Sequence, residues 1–238
     1  RKTRLLYVTG VQTCALPILK MPPKNPTKPP KRAQTTAEEW ANSWSHGVGL
    51  ILGVIGIPFL LVHALESQNP GTWVGAATFS LGILMVYGFS TAYHASKNPK
   101  KKARLQVMDH VSIYFLIAGS YTPMILAILK KETALIFLAI IWGSVLIGTF
   151  FKLFFTGKFK TLSVIIYLTM GWLAVKKNHQ KHQKNTTQTH TRIGIGGLSY
   201  TIGVYFYVKS EKLYYHAIWH LFVMGGTAAH FVAVYQFA

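Results

Sequence analysis

The chain has 238 residues, 50% of them hydrophobic and only 13% charged, with a mean hydropathy of +0.29. Disorder needs low hydrophobicity and soluble domains carry about 25% charged residues, so neither an ordinary soluble fold nor a disordered chain suits most of its length. The 25 Lys and Arg against 6 Asp and Glu give a formal charge of +19, but the cations fall between long apolar runs, as in membrane loops, rather than on a nucleic-acid footprint.

In chain order, residues 1–19 combine Arg1, Lys2 and Arg4 with a moderately apolar run, the outline of a signal peptide. Within them Tyr7–Ile18 (YVTGVQTCALPI) reads as translated sequencing-adapter text rather than protein, and the segment is set aside as non-native in character. Its Cys14 is the single cysteine, which excludes an intrachain disulfide framework and a Cys-rich metal site. Residues 20–37 form a basic, proline-rich linker expected in the cytoplasm, with Pro22, Pro23, Pro26, Pro29 and Pro30. Thr36 stands three residues before Glu39, the spacing of a capping box, and predicts a short amphipathic helix leading into the first span.

Residues 38–238 then carry seven apolar stretches: Trp44–Leu65, Thr72–Tyr93, Met108–Leu129, Thr133–Phe155, Thr161–Val175, Ile193–Val208 and Tyr214–Tyr235. A bilayer core asks for about 20 residues at 1.5 Å rise, and none of the seven alternates as a barrel strand does. They predict an all-α membrane protein, a seven-transmembrane helical bundle. Before the fifth and sixth meet, residues 177–192 form an irregular polar insert; Asn178–Thr191 (NHQKHQKNTTQTHT) reads as a solvated low-complexity loop, with His179, His182 and His190 as a metal-binding alternative.

Loop charge sets the orientation. Lys20 to Arg32 precede span 1, the 1–2 loop has no cation, and Lys97, Lys100, Lys101, Lys102 and Arg104 lie between spans 2 and 3. Lys158 and Lys160 follow span 4, Lys209 and Lys212 precede span 7, and the tail has none. The positive-inside rule therefore puts the N-terminus in the cytoplasm and the C-terminus outside. Lys176, Lys177, Lys181, Lys184 and Arg192, in the loop before span 6, run against that pattern.

Ionisable side chains inside spans are costly, and each is a functional candidate by default. His216 and His220 sit at i and i+4 on one face of span 7. Span 2 ends on the same cytoplasmic side at His94, and span 3 begins there at Asp109, so four ligand-type residues from three helices share one depth. Three neutral imidazoles with an exchangeable fourth position make a catalytic zinc site, and the expected cofactor is Zn2+. Asp109 suits the role of general base, or of a carboxylate orienting a ligand histidine. Ser90, one turn before His94, suits donation to water or to an oxyanion. His46 fits either an outer shell around the metal or a helix-bridging hydrogen bond. Glu38, Glu39 and Asn42 fit capping or the same outer shell. His63 and His230 fall toward the opposite face, and His110 points about 100° away from Asp109. Gly47, Gly49, Gly53 and Gly56 in span 1 predict close helix approach, and Pro123 predicts a kink in span 3.

Glu38–Leu50 (EEWANSWSHGVGL), Ser90–Ser96 (STAYHAS), Met108–Pro123 (MDHVSIYFLIAGSYTP) and His216–Gly226 (HAIWHLFVMGG) together resemble the hemolysin III family. This is the bacterial branch of the progestin and adipoQ receptor group, which is related to alkaline ceramidases. The resemblance covers about Glu38–Val175 and Gly196–Tyr235. It implies seven spans, a cytoplasmic N-terminus, a bacterial plasma-membrane location and one zinc, with the family's pattern falling on His94, His216 and His220 as metal ligands and on Ser90 and Asp109 as catalytic residues. Residues 1–19 and the stretch from Lys177 to Arg192 depart from the family pattern, as a frameshifted or miscalled stretch would.

Three functions follow as expectations. The first is a zinc-dependent hydrolase acting within the membrane on a lipid amide or related bond. The second is a pore-forming cytolysin, as the family name implies, although no amphipathic insertion segment is present. The third is a receptor or lipid-homeostasis sensor in which zinc serves structure. The expected partner is membrane lipid, as substrate in the first case; nucleic acid is not expected, and protein partners are left unspecified.

Overall fold

The computed structural model describes residues 32–155, 164–165, 167–169 and 186–238. The non-native-looking segment 1–19, most of the linker, most of the fifth predicted span, His179 and His182 lie outside them. Among the described residues the chain forms six long helices: α1 (Thr36–Glu66), α2 (Pro70–Ala95), α3 (Pro99–Ile128), α4 (Lys131–Phe155), α5 (Thr186–Val208) and α6 (Tyr215–Phe237). Five of these, all but α5, are long and apolar enough to cross a membrane.

Helix starts are written in short-range chemistry. The Thr35 hydroxyl accepts from the Glu38 N–H while the Glu38 carboxylate accepts from the Thr35 N–H, at 3.2 and 2.8 Å. The capping box is therefore Thr35–Glu38, one residue earlier than the predicted Thr36–Glu39 pair. It opens a single helix of 31 residues rather than a short helix ahead of a span. The shift frees Glu39 for another task. Two Asn-Pro pairs start the next helices. Asn69 accepts from Gly71 N–H with Pro70 in the first turn, and Asn98 accepts from Lys100 and Lys101 N–H with Pro99 in the first turn. Proline there loses no helical hydrogen bond, because the first-turn N–H groups have no partner inside the helix.

The helix α5 begins at Thr186, so the C-terminal part of the predicted polar insert, His190 included, is helical. Composition hid this start: Thr186–Arg192 is too polar to join an apolar run, while the backbone needs only continuous i to i−4 bonding.

Outward faces are greasy in the way lipid requires. On α1 Ile51, Leu52, Val54, Ile55, Phe59 and Val62 are exposed, and on α4 Leu135, Ile136, Ile140, Leu146, Ile147 and Phe150 are. Trp40 and Trp44 at one end of α1, and Trp73 near the start of α2, are exposed too, matching the aromatic belts that sit at headgroup level. Inward faces carry small residues. A Cβ on Gly49 would stand 2.9 Å from the Tyr87 ring, and one on Gly53 would stand 2.7 Å from Ile83. The predicted close helix approach is present at both positions, and the partner is α2.

The most extensive helix pairing is α2 with α3, followed by α5 with α6 and α1 with α2. Pro123 lies inside α3 and its backbone packs against Gly75 of α2. One apolar core runs between α1, α2, α3 and α6 through Leu60, Phe79, Ile83, Leu116, Val223 and Val234. A second joins α3 to α4 through Tyr114, Tyr121, Ile141 and Val145. Helix α6 contacts α1, α2 and α3 as well as α5. The starts of α1, α3 and α6 therefore meet the end of α2.

Candidate metal centre

At that meeting point His94, His216 and His220 come together, with one ring nitrogen from each lying within 4.8 Å of the others. The rings of His94 and His220 are 5.3 Å apart, and those of His94 and His216 are 5.1 Å apart. His220 is fully buried and His94 is 5% exposed.

The tautomers follow from the acceptors around the rings. Nδ1 of His94 faces Glu39 Oε2 at 2.7 Å. At neutral pH the carboxylate only accepts, so Nδ1 carries the proton and donates. Nδ1 of His220 lies 3.2 Å from the Asn42 carbonyl oxygen and 2.9 Å from Ser45 Oγ. The Ser45 hydroxyl already donates to that same carbonyl, so His220 Nδ1–H donates as well. In both rings this leaves the Nε2 lone pair, and both Nε2 atoms are buried with no hydrogen-bond partner among the described residues. A buried unpaired acceptor costs about 1–3 kcal/mol. Two of them aimed into one cluster are what a cation would satisfy. The residues therefore fit a zinc ion: neutral imidazoles offering Nε2, with Nδ1–H tied to a carboxylate or carbonyl, are the usual ligand form.

Helix α1 supplies the outer layer. Glu39 bridges His94 to Lys102, whose Nζ is 2.9 Å from Glu39 Oε1. Glu38 Oε1 accepts from the Tyr214 N–H at 3.2 Å, where Tyr214 turns through φ 60° to start α6. His46 stacks on His220 with ring centroids 3.6 Å apart and planes 16° from parallel. Among the described residues both its nitrogens are buried without a partner, so the helix-bridging hydrogen bond of the second alternative is not formed there. Ser45 and Lys102 were absent from the sequence-derived site. The signal for the α1 layer was a polar stripe at Glu39, Asn42 and His46, spaced i, i+3, i+7 on an otherwise apolar helix.

Asp109 and Ser90 are buried at the same end, 5% and 0% exposed, with Asp109 in the field of His94 and beside Ser90. His63 is elsewhere, stacked on Tyr235 at 4.3 Å and 3.7 Å from Glu66. His230 is far along α6, against the Ile193 carbonyl of α5.

Adjoining the cluster is an apolar cavity. Its walls include Val86, Leu116, Tyr207, Trp219 and Val223. Tyr207 and Trp219 also stand against the His216 ring, at 6.3 and 5.1 Å. The space open to the centres of water-sized spheres is about 90 Å³, several times the roughly 10–15 Å³ that one water needs.

Apolar helices with lipid-facing flanks and a buried polar cluster at one end define an integral, multi-pass helical membrane protein. The chain belongs to the Haemolysin-III related family, which matches residues 34–231. It is 36% identical over 190 residues to a hemolysin-3 homolog of Bacillus subtilis (strain 168), covering 80% of this chain and 89% of the relative. Hemolysin-3 of Bacillus cereus is 34% identical over 190 residues, with 80% and 87% covered. A human relative, monocyte to macrophage differentiation factor, is 29% identical over 206 residues, covering 82% of each chain. The chain is a multi-pass protein of the bacterial cell membrane.

Proposed function

We propose that this protein is a seven-span, zinc-binding membrane hydrolase that cleaves an amide or related bond in a membrane lipid. The observation that carries the reading is the convergence of His94, His216 and His220 beside an apolar cavity. Loop charge supports a cytoplasmic N-terminus and an outer C-terminus, which brings the cluster close to the cytoplasmic leaflet, near Lys97–Arg104.

His94, His216 and His220 would hold the metal. When bound, zinc supplies Lewis acidity, which polarises a carbonyl and makes water acidic near neutral pH. The protein's own groups do the rest. Glu39 keeps His94 in the Nδ1–H tautomer, and the Asn42 carbonyl with Ser45 does the same for His220. A carboxylate oxygen of Asp109 takes a proton from the attacking water and returns it to the leaving nitrogen. The Ser90 hydroxyl donates to the oxygen on which charge develops. The cavity walls strip water from the acyl chain and hold it beside the cluster.

Lipid mass spectrometry on membranes incubated with the protein tests this. Free fatty acid is expected to accumulate with the unmodified chain and to fall at least about 100-fold with His94→Ala, beyond the 10–100-fold typical for losing an outer-shell partner. Unchanged lipid profiles, or equal activity in the variant, would overturn the hydrolase reading. A second reading rests on the printed name of the Bacillus cereus relative, hemolysin-3: the protein is a cytolysin. Liposome leakage that persists in His94→Ala, without lipid turnover, would favour it.

A further inference from the structure

The cavity has a second polar feature, at the end away from the histidine cluster. His230 of α6 is one of its walls and is 1% exposed. Its Cδ2–Nε2 edge is packed against the backbone of α5, where Gly196 leaves no room for a Cβ. Nε2 lies 3.3 Å from the Ile193 carbonyl oxygen, which only accepts, so Nε2 carries the proton. Nδ1, on the opposite edge, is then a pure acceptor, and it is buried with no partner among the described residues. The Tyr121 and Tyr200 rings stand edge-on to the His230 ring, with centroids 6.4 and 5.4 Å away.

The neighbouring hydroxyls have already spent their protons. Ser120 donates to the Ile117 carbonyl at 3.0 Å, and Thr201 donates to the Gly197 carbonyl at 2.8 Å. Thr227 donates to the Val223 carbonyl at 3.0 Å, so the Tyr200 hydroxyl, 3.0 Å from Thr227 Oγ1, donates to it. These groups leave acceptors around His230 and few donors. Among these four hydroxyls a carboxylate or phosphate oxygen finds no free donor, whereas a group that donates a proton finds the Nδ1 acceptor of His230. Along α6, His230 is ten residues beyond His220, or about 15 Å at 1.5 Å per residue.

We propose that His230 is a second anchor of the cavity, which takes a hydroxyl on the distal part of a lipid chain whose head lies at the histidine cluster. The inference rests on the reading above that the cavity holds an acyl chain, and adds the substrate class: chains hydroxylated far from the scissile bond. The ligand hydroxyl donates to His230 Nδ1 and so satisfies a buried acceptor that an unsubstituted chain leaves bare.

Equilibrium binding to the full chain in lipid nanodiscs tests it with three probes: dodecanoic acid, 12-hydroxydodecanoic acid, whose extended chain roughly matches that span, and 2-hydroxydodecanoic acid. The 12-hydroxy acid is expected to bind about threefold to tenfold tighter than dodecanoic acid, the value of one net buried hydrogen bond. The 2-hydroxy acid is expected to gain nothing. In His230→Phe the 12-hydroxy preference is expected to vanish while dodecanoic acid binds as before, which also shows that the variant folds. Equal affinities in the unmodified chain would overturn the proposal without any variant, as would a preference that survives His230→Phe. If none of the three acids binds, the acyl-chain reading of the cavity fails with it. If dodecanoic acid binds but the hydroxyl adds nothing, only the anchor fails.

Discussion

Replacing His220 by alanine is expected to reduce zinc in the purified protein from about one ion per chain to background. The size of the effect follows from what His220 touches. Its Nε2 is buried without a protein partner, its Nδ1–H is committed to the Asn42 carbonyl and Ser45, and its ring is clamped against His46. Two remaining imidazoles cannot complete a catalytic zinc site. Glu39→Ala should give a graded result. His94 keeps its ligand nitrogen but loses the carboxylate that fixes its tautomer, so zinc affinity is expected to fall about 10–100-fold rather than disappear. His63→Ala, at the opposite end beside Tyr235, is expected to leave zinc unchanged. Elemental analysis and competition against a chromogenic chelator separate the three. Retained zinc in His220→Ala would remove that residue from the ligand set.

Gly119→Leu is expected to yield no folded protein. A Cβ at Gly119 would lie 2.5 Å from the carbonyl oxygen of Thr78 and 3.2 Å from Cα of Phe79. Both are backbone atoms of α2, so no rotamer change makes room, and α2 must move away from α3. Gly82 meets the Leu116 backbone in the same way from the other side, with a Cβ 2.8 Å from Cα, so the two helices are locked along much of their length. Small residues that let backbones approach are what hold membrane helices together, since lipid offers no hydrophobic drive between them. Gly119→Ala is the milder test, expected to cost about 1–3 kcal/mol as overpacking. Because α2 carries His94 and α3 carries Asp109, metal retention should weaken with stability. Gly143→Ala on α4, where a Cβ would meet nothing within 4 Å among the described residues, is expected to be neutral or slightly stabilising, as alanine favours a helix over glycine. Thermal unfolding in detergent reads both. A fully stable Gly119→Leu would mean that α2 and α3 are not packed this way.

Apolar runs are legible because a bilayer imposes one length and one polarity on every span, and α2, α4 and α6 lie close to where hydropathy puts them; α1 and α3 end where expected but begin at Thr36 and Pro99 rather than Trp44 and Met108, because their first turns are too polar to join an apolar run. His94, His216 and His220 were legible for a different reason. Loop charge assigns each helix end to one side of the membrane, and that alone brings the end of α2 and the start of α6 to a common depth. What loop charge cannot supply is rotation about the helix axis. The α1 layer was therefore only half seen: Glu39 and His46 were noticed as polar residues at the correct depth, but which of them faced α2 and which faced α6 depends on packing at Gly49 and Gly53. The register of the cap failed by one residue because Thr35, Thr36, Glu38 and Glu39 offer two boxes of equal spacing, and only the one that leaves Glu39 pointing at His94 and Lys102 is formed. Depth alone places His230 away from the cluster. Its lone acceptor is visible only once Ile193 of α5 is known to hold the other nitrogen.

Zinc K-edge X-ray absorption on the purified full chain tests the central claim most directly. One zinc per chain, with three imidazole nitrogens at about 2.0–2.1 Å and one oxygen ligand, is the predicted result. A protein that stays folded with no zinc, or a spectrum lacking the imidazole signature, would contradict it.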